Sequence, residues 1–183
     1  MLTNFTKFII FLIKFIDIFI YKLFRIDFYG FLVDKIIQRY ESIYIKNKKI
    51  KFFIPNHISK WRIKTFYSKE PETLDWIDNF KKNKPIFWDI GSNIGLYSIY
   101  ASAVHKNIKI YAFEPSFLNL NVLSRNIFIN NLVRKIKIFQ IPLNNKNFNF
   151  SQMNETTLSI AGAYSEFKNN LKSYGGKKIL NSY

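Results

Sequence analysis

The segment Trp88-Asp89-Ile90-Gly91-Ser92-Asn93-Ile94-Gly95 decides the fold of this chain. It begins in an apolar run, residues 86–90, of the kind found in strands that are buried on both faces of a parallel sheet. It leads into a helical pattern over residues 96–104, and the small residues between the two allow a tight turn. A strand, a turn and a helix in this order predict one unit of a parallel sheet.

The same alternation continues after this helix. Residues 109–113 read as a second strand, residues 117–130 as a second helix with Ser116 as its N-cap, and residues 136–141 as a third strand. Consecutive units of this length are joined by right-handed crossovers. The sequence therefore predicts an α/β fold with a partial doubly wound, Rossmann-like parallel sheet.

An apolar helix is predicted near the N-terminus, over residues 8–24. Lys14 and Asp17 lie in its middle and would each cost about 2.5 to 3.5 kcal/mol in a membrane span, so spanning is disfavoured. No small-residue cleavage site follows, which excludes a signal peptide. Two alternatives stay open: contact with a membrane interface through residues 5–25, or docking on the protein or on a second subunit.

The remaining segments before the glycine turn are predicted to form a scaffold. Residues 31–44 are typical of an amphipathic helix, and residues 50–54 of a short strand. A further helix begins near Ser68, because Pro71 and the acidic residues beside it favour a first helical turn. It ends before Pro85, which cannot continue it.

The charge of the chain is strongly basic but widely dispersed. The formal net charge is +16, yet the longest basic tract is residues 46–51 and most other lysines stand singly. Dispersed lysines favour a solvated surface over a nucleic-acid site, which needs clustered cations. Nucleic acid is therefore not expected as a partner, although a basic module that binds RNA or a membrane surface without catalysis stays open as an alternative.

Cysteine and histidine usage excludes several chemistries. The chain has no cysteine, so it has neither disulfides nor thiolate nucleophiles nor cysteine-ligated metals. His57 and His105 are far apart and have no acidic cluster beside them. No metal site is predicted.

A cofactor site is predicted where the glycine turn meets the next strand end. Glu114 follows the second strand, 19 residues after Gly95. At this offset an acidic side chain accepts the hydroxyls of an adenosine ribose, while the turn lets the ligand approach the backbone. We therefore expect a cofactor that contains adenosine.

The turn favours S-adenosylmethionine over a nicotinamide dinucleotide. Asn93 stands where a dinucleotide site has its middle glycine, and Asp89 lies two residues before Gly91. A carboxylate here would repel a pyrophosphate but suits a cofactor that carries a sulfonium and an ammonium group. A nicotinamide-dependent oxidoreductase, and a turn that binds nothing, stay open as alternatives.

Residues 70–145 resemble the FkbM family of S-adenosylmethionine-dependent methyltransferases. The likeness lies in the segments EPETLDWI, FWDIGSNIGLYSIYA, IYAFEPSFLNLNVLSRNIFIN and IKIFQIPLNN. It implies a class I methyltransferase fold and methyl transfer to a hydroxyl group of a small molecule, a sugar or a lipid-linked glycan. The resemblance assigns Asp89, Gly91, Asn93, Gly95 and Glu114 to the cofactor site, with Leu143 at the adenine pocket. Their neighbours Ser92 and Pro115 are predicted as further residues of the same site.

One departure from the family concerns the end of the chain. The family's next strand ends in a D-x-[DE]-G-type segment, which does not occur in residues 148–183, and only 94 residues follow Asp89. A class I methyltransferase has seven strands, so we expect a truncated gene product that is marginal or inactive alone, with the strand at 86–90 left as an edge. No catalytic base is nominated, because the region expected to supply it is absent.

These inferences give a domain plan and a location. We expect N-terminal hydrophobic and amphipathic helices at 1–45, a connecting strand and helix at 46–84, and an incomplete cofactor-binding domain at 85–183. The expected location is the cytoplasm, peripheral to the inner face of the membrane if the first helix binds there. The oligomeric state does not follow from the sequence.

Overall fold

The computed structural model describes residues 2–143, 152–154, 160–162, 166–167 and 180–182. The chain forms two compact units, Met1–Arg39 and Tyr40–Tyr183. The division lies after Arg39, whereas the sequence suggested a boundary after residue 45. A strand that begins at Tyr40 pairs with residues beyond 45, which assigns it to the second unit.

The first unit is a pair of helices, α1 (Leu2–Phe24) and α2 (Phe28–Ile37). The turn between them contains Arg25, whose φ of 57° ends α1, and Asp27, whose side chain accepts a hydrogen bond from Gly30 N at 2.7 Å. Asp27 therefore caps α2. The predicted first helix is confirmed. Within the described residues, none of the helices combines the length and the apolar character needed to cross a membrane.

The last five residues of the helix predicted over residues 31–44 belong to a strand. β1 (Tyr40–Ile45) pairs antiparallel with β2 (Lys48–Phe53). Lys46 and Asn47 join them with φ angles of 43° and 66°, as in the tight turns that match the twist of a hairpin. The helix prediction was wrong here because pairing with β2, which local periodicity does not register, decides the conformation.

Three short helices connect the hairpin to the parallel sheet: α3 (His57–Lys64), α4 (Phe66–Lys69) and α5 (Pro71–Asp78). Asn56 caps α3 by accepting a hydrogen bond from Ser59 N at 2.9 Å. The predicted helix start at Ser68 was wrong, since Ser68 lies within α4 and α5 begins at Pro71. α5 also ends at Asp78, earlier than expected.

The parallel sheet follows the predicted alternation of strands and helices. Its elements are β3 (Ile86–Ile90), α6 (Leu96–Val104), β4 (Lys109–Phe113), α7 (Phe117–Ile129) and β5 (Ile136–Phe139). The strands lie in the order β3-β4-β5 and are parallel, with Asp89 opposite Ala112. The predicted α/β fold with a parallel sheet is confirmed, although β5 ends two residues earlier than expected.

The helix α6 packs on one face of this sheet, and buried residues of α7 such as Leu123 and Ile127 belong to the same core. Phe87 and Asp89 point to that face and are buried, whereas Ile86, Trp88 and Ile90 are each more than half exposed. The prediction that the β3 segment is buried on both faces was wrong, because the described helices cover only one of them. The alternating exposure nevertheless places Asp89 beside α6, and this side of the sheet carries the site described below.

A third sheet among the described residues is antiparallel and consists of β6 (Gln152–Asn154), β7 (Glu166–Phe167) and β8 (Leu180–Ser182), in the order β7-β6-β8. The expectation of a missing segment and of missing strands after residue 148 concerns residues that lie mostly outside the described part of the chain.

Candidate functional site

The glycine turn is tied to the neighbouring strand by its backbone. Gly91 N and Ser92 N both donate to Phe113 O, at 2.9 and 3.0 Å. Gly91 has a φ of +73°, and a Cβ placed there would meet nothing within 4 Å. Glycine is therefore favoured at this position by the backbone conformation, and its missing side chain leaves open space at the carboxyl edge of the sheet.

Gly95 has a different role from Gly91. Its φ is +87°, and an added Cβ would lie 2.5 Å from Leu123 Cδ1 on α7. Glycine is needed here so that the start of α6 can pack closely against α7. Gly95, predicted as a cofactor contact, is buried against α7 and does not line the cavity beside the turn.

Glu114 joins the end of β4 to the turn. Its side chain is 4% exposed, its Oε2 accepts from Asn93 N at 2.6 Å, and its Oε1 accepts from Ser116 N at 2.9 Å. Burial raises the pKa of this carboxyl, and the hydrogen bonds from Ser116, Asn93 and Asn119 oppose the rise. Oε1 also accepts from Asn119 Nδ2 at 3.5 Å, so a ligand hydroxyl would donate to the remaining lone pair of Oε2.

Asp89 caps the helix that follows the turn. Its Oδ2 accepts from Ser98 N at 3.0 Å and from Ser98 Oγ at 2.5 Å. Ser98 is the third residue of α6, so the carboxylate binds an amide that would otherwise lack a partner. Burial raises the pKa of Asp89 to about 6, against the effect of both hydrogen bonds from Ser98. At neutral pH the group is therefore a buried anion at the positive end of a helix.

A cavity of about 390 Å³ lies beside these two carboxylates. Six of the eight predicted site residues line it: Asp89, Gly91, Ser92, Asn93, Glu114 and Pro115. Leu143, expected at the adenine pocket, is 40% exposed and is not among its lining residues.

A third acidic side chain of this cavity, Glu70, was not predicted from the sequence. Tyr97 Oη donates to Glu70 Oε2 at 2.6 Å, and Lys69 Nζ lies 3.2 Å from Glu70 Oε1. The hydrogen bond from Tyr97 is the largest cause that lowers the pKa of Glu70. The Glu70-Pro71-Glu72 segment was interpreted only as the start of a helix, although it belongs to the stretch that carries the family resemblance.

A short segment far along the chain forms another part of the cavity wall. Asn93 Nδ2 donates to Gly162 O at 2.6 Å, and Asn119 Oδ1 accepts from Ala161 N at 2.7 Å. Arg62 Nε donates to Ala161 O at 2.7 Å. Local sequence patterns could not predict these contacts, because the side chains that bind residues 161 and 162 lie 42 to 99 positions earlier in the chain.

The residues of the cavity fit an adenosine without phosphates. Glu114 offers its Oε2 for ribose hydroxyls, and Gly91 leaves room for a ligand beside the turn. Ser92 Oγ is buried and has no hydrogen-bond partner among the described residues, as a group that serves a ligand would. The fold and the site therefore define a parallel α/β protein with a nucleoside-type site at the carboxyl edge of its sheet.

Comparison with known proteins finds a similar methyltransferase over part of the chain. No family model matches. Methyltransferase sdnD of Sordaria araneosa is 40% identical over 67 residues, which is 37% of this chain and 26% of that protein. The chain therefore matches about a quarter of the length of this curated relative.

Two solved structures are similar to this chain over 39% and 57% of its length. Precorrin-6Y C5,15-methyltransferase of Geobacter metallireducens is 24% identical, with 39% of this chain and 37% of that chain covered and a TM-score of 0.35. TYW2 of P. horikoshii, in complex with MeSAdo, is 17% identical, with 57% and 37% covered and a TM-score of 0.40.

Proposed function

We propose that this chain binds S-adenosylmethionine and belongs to an enzyme that transfers its methyl group to an acceptor. One observation carries the proposal. The buried Glu114 carboxylate lies at the carboxyl edge of the parallel sheet, 2.6 Å from the Asn93 amide of the glycine turn, and lines the same cavity as Gly91. Ribose hydroxyls are bound by an acidic side chain in this position of a doubly wound sheet.

Three acidic side chains would hold the parts of this cofactor. Glu114 would accept the ribose hydroxyls, while Asp89 and Glu70 would provide negative charge for the sulfonium and the ammonium groups. S-adenosylmethionine supplies a methyl group on a positively charged sulfur, which a nucleophile can displace. The contribution of the chain is to hold the cofactor in one orientation, since positioning supplies much of the rate of such a displacement.

The capping of α6 disfavours a nicotinamide dinucleotide. Such a cofactor places its pyrophosphate at the N-terminus of the helix after the first strand. Here the amide of Ser98 is already bound by the Asp89 carboxylate at 3.0 Å. A pyrophosphate would have to displace this carboxylate or approach it at close range.

The methyltransferase likeness supports the reaction type, and the FkbM resemblance supports the acceptor. The relative from Sordaria araneosa is described as a methyltransferase. Within that reaction we propose a hydroxyl acceptor on a small molecule, a sugar or a glycan. The assignment to the FkbM family and the O-methylation remain predictions.

Calorimetric titration of the full chain tests the cofactor. S-adenosylmethionine and S-adenosylhomocysteine should both bind, and NAD should bind at least about 10-fold more weakly because of Asp89. Glu72→Gln, an exposed carboxylate outside the cavity, serves as the control and should bind like the wild type. Tighter binding of NAD than of S-adenosylhomocysteine would overturn the proposal. Transfer of an isotopically labelled methyl group to a panel of hydroxylated sugars then tests the acceptor.

A further inference from the structure

The first unit exposes an unusually large apolar surface. Along α1, large side chains that are each more than half exposed recur on every turn; they are Phe5, Phe8, Phe11, Phe15, Ile18, Phe19, Leu23 and Phe24. On α2, Phe31 and Ile36 are also more than half exposed. Soluble monomers rarely expose contiguous apolar surface of this extent, so it indicates a binding surface.

The two charges in the middle of α1 are engaged within this unit. Asp17 Oδ1 accepts a hydrogen bond from Tyr29 N at 2.8 Å, and Lys14 Nζ lies over the Tyr29 ring, 5.6 Å from its centre. Tyr29 belongs to α2, so the helix pair supplies partners for both groups. The cost of bringing this part of α1 into an apolar environment is thereby reduced.

Basic residues near the ends of the helices complement the apolar surface. Lys7 lies in the first half of α1, Lys22 in its last turn, Arg25 directly after it, and Lys35 in the last turn of α2. The unit has six basic residues, counting Lys14 and Arg39, against three acidic ones, which gives a net charge of +3. Apolar side chains combined with lysine and arginine are typical of helices that lie in the interface of an anionic membrane.

We propose that the helix pair Leu2–Ile37 binds the surface of an anionic membrane, with its aromatic side chains in the interface and its basic residues on the lipid headgroups. None of the described helices can span a bilayer, so the binding is peripheral. In the alternative, a second copy of the chain covers this surface, which predicts a dimer that does not bind lipid vesicles.

Vesicle flotation with the full chain tests this proposal. The chain should float with vesicles that contain phosphatidylglycerol, bind vesicles of phosphatidylcholine alone much more weakly, and lose affinity for the anionic vesicles as salt is raised. Replacing Lys7, Lys22 and Arg25 with Gln should weaken binding to anionic vesicles on the order of 100-fold at low salt. Lys64→Gln, Lys82→Gln and Lys106→Gln together remove the same charge from exposed sites of the second unit and should leave binding within about 3-fold.

A second variant tests the apolar contribution. Phe8→Ser, Phe15→Ser and Phe19→Ser together should abolish flotation with either vesicle, while circular dichroism reports that the helices persist. Three results would overturn the proposal. They are no binding of the wild type to anionic vesicles, equal loss in the two charge variants, or a dimer by analytical ultracentrifugation that does not respond to lipid.

Discussion

At the scale of single residues, the two glycines of the turn are required for different physical reasons. Both have positive φ angles, +73° at Gly91 and +87° at Gly95. Only at Gly95 would a Cβ collide with the protein itself, on Leu123 Cδ1. Gly91 instead faces open space, which we assign to the ligand.

This difference predicts opposite outcomes for two alanine variants. Gly91→Ala should lower the free energy of unfolding by only about 1–2 kcal/mol, the cost of a left-handed conformation, but weaken binding of S-adenosylhomocysteine at least about 10-fold. Gly95→Ala should cost about 3 kcal/mol or more, because close packing is lost as well, while the folded fraction keeps most of its affinity. Chemical denaturation and calorimetry measure the two effects. Equal affinities for Gly91→Ala and the wild type would contradict a ligand at this turn.

Asp89 gives a prediction about pH. Its pKa rises from 3.8 to about 6 on folding, so the folded state holds more protons than the unfolded state between these values. The stability that this group contributes is present below pH 3.8 and is lost as the pH rises through about 6. As the pH rises from 3.8 to about 6, the free energy of unfolding should therefore fall less for Asp89→Asn than for the wild type.

Denaturant midpoints measured from pH 3.5 to pH 7.5 would show the effect of Asp89→Asn, with conditions chosen at about half-unit steps. Asp75→Asn, the same change on an exposed residue of α5, is the control and should follow the wild type. If Asp89→Asn and the wild type gave parallel curves, folding would not raise the pKa of Asp89.

The site could be predicted in part, residue by residue. The positions of Asp89, Gly91 and Glu114 followed from spacing, because strand ends of a parallel sheet meet at one edge. The hydrogen bonds that Asp89 accepts from Ser98 could not be predicted, since a carboxylate at a strand end can bind a ligand or cap a helix equally well. Glu70 was missed because α5, α6 and the turn meet only through tertiary packing.

At the scale of elements, side-chain amides at the C-terminal half of α7 connect the hairpin to the turn. Asn126 is fully buried, its Oδ1 accepts from Phe53 N at 2.7 Å, and its Nδ2 donates to Ile94 O at 2.9 Å. One turn later, Asn130 bonds to the backbone N and O of Lys51. These side chains satisfy part of the backbone of β2 as a neighbouring strand would.

Asn126→Ala should therefore destabilise the chain strongly. It leaves a buried N–H and a buried C=O without partners, which predicts a loss of about 3 kcal/mol in the free energy of unfolding. Asn121→Ala, on the exposed side of the same helix, should change it by less than about 0.5 kcal/mol. Urea denaturation compares the two. A similar loss in both variants would mean that the hydrogen bonds of Asn126 do not determine the effect.

The bounds of helices and strands were predicted most accurately where glycine or proline residues mark their ends. The bounds of β3, α6 and β4 match, because Pro85, the glycine turn and Pro115 mark their ends. β1 was mistaken for a helix because the spacing of its apolar residues fits both a helical and a strand repeat. Its partner strand also lies beyond a turn, so the pairing is not visible in the local sequence. Burial of β3 depends on which elements cover each face, and this does not follow from the strand alone.

At the scale of the whole molecule, the net charge of +16 and the acidic groups of the cavity point to different partners. The cavity is lined by three acidic residues, Asp89, Glu114 and Glu70, against the two basic residues Arg62 and Lys69, so a polyanion is not expected to enter it. We predict that an RNA oligonucleotide at low salt leaves the affinity for S-adenosylhomocysteine unchanged. Competition binding measures this, and a drop that disappears at high salt would favour the RNA-binding alternative.

The contact between Glu114 and a ribose is the central claim, and a double-mutant cycle that includes the ligand tests it most directly. Calorimetry would compare S-adenosylhomocysteine with its 2′,3′-dideoxy analogue on the wild type and on Glu114→Ala. The wild type should lose about 10- to 100-fold in affinity with the dideoxy ligand, as expected when charged hydrogen bonds are removed, and Glu114→Ala should hardly distinguish the two ligands. An equal loss in both proteins would contradict the account, because Glu114 would then not bind the ribose.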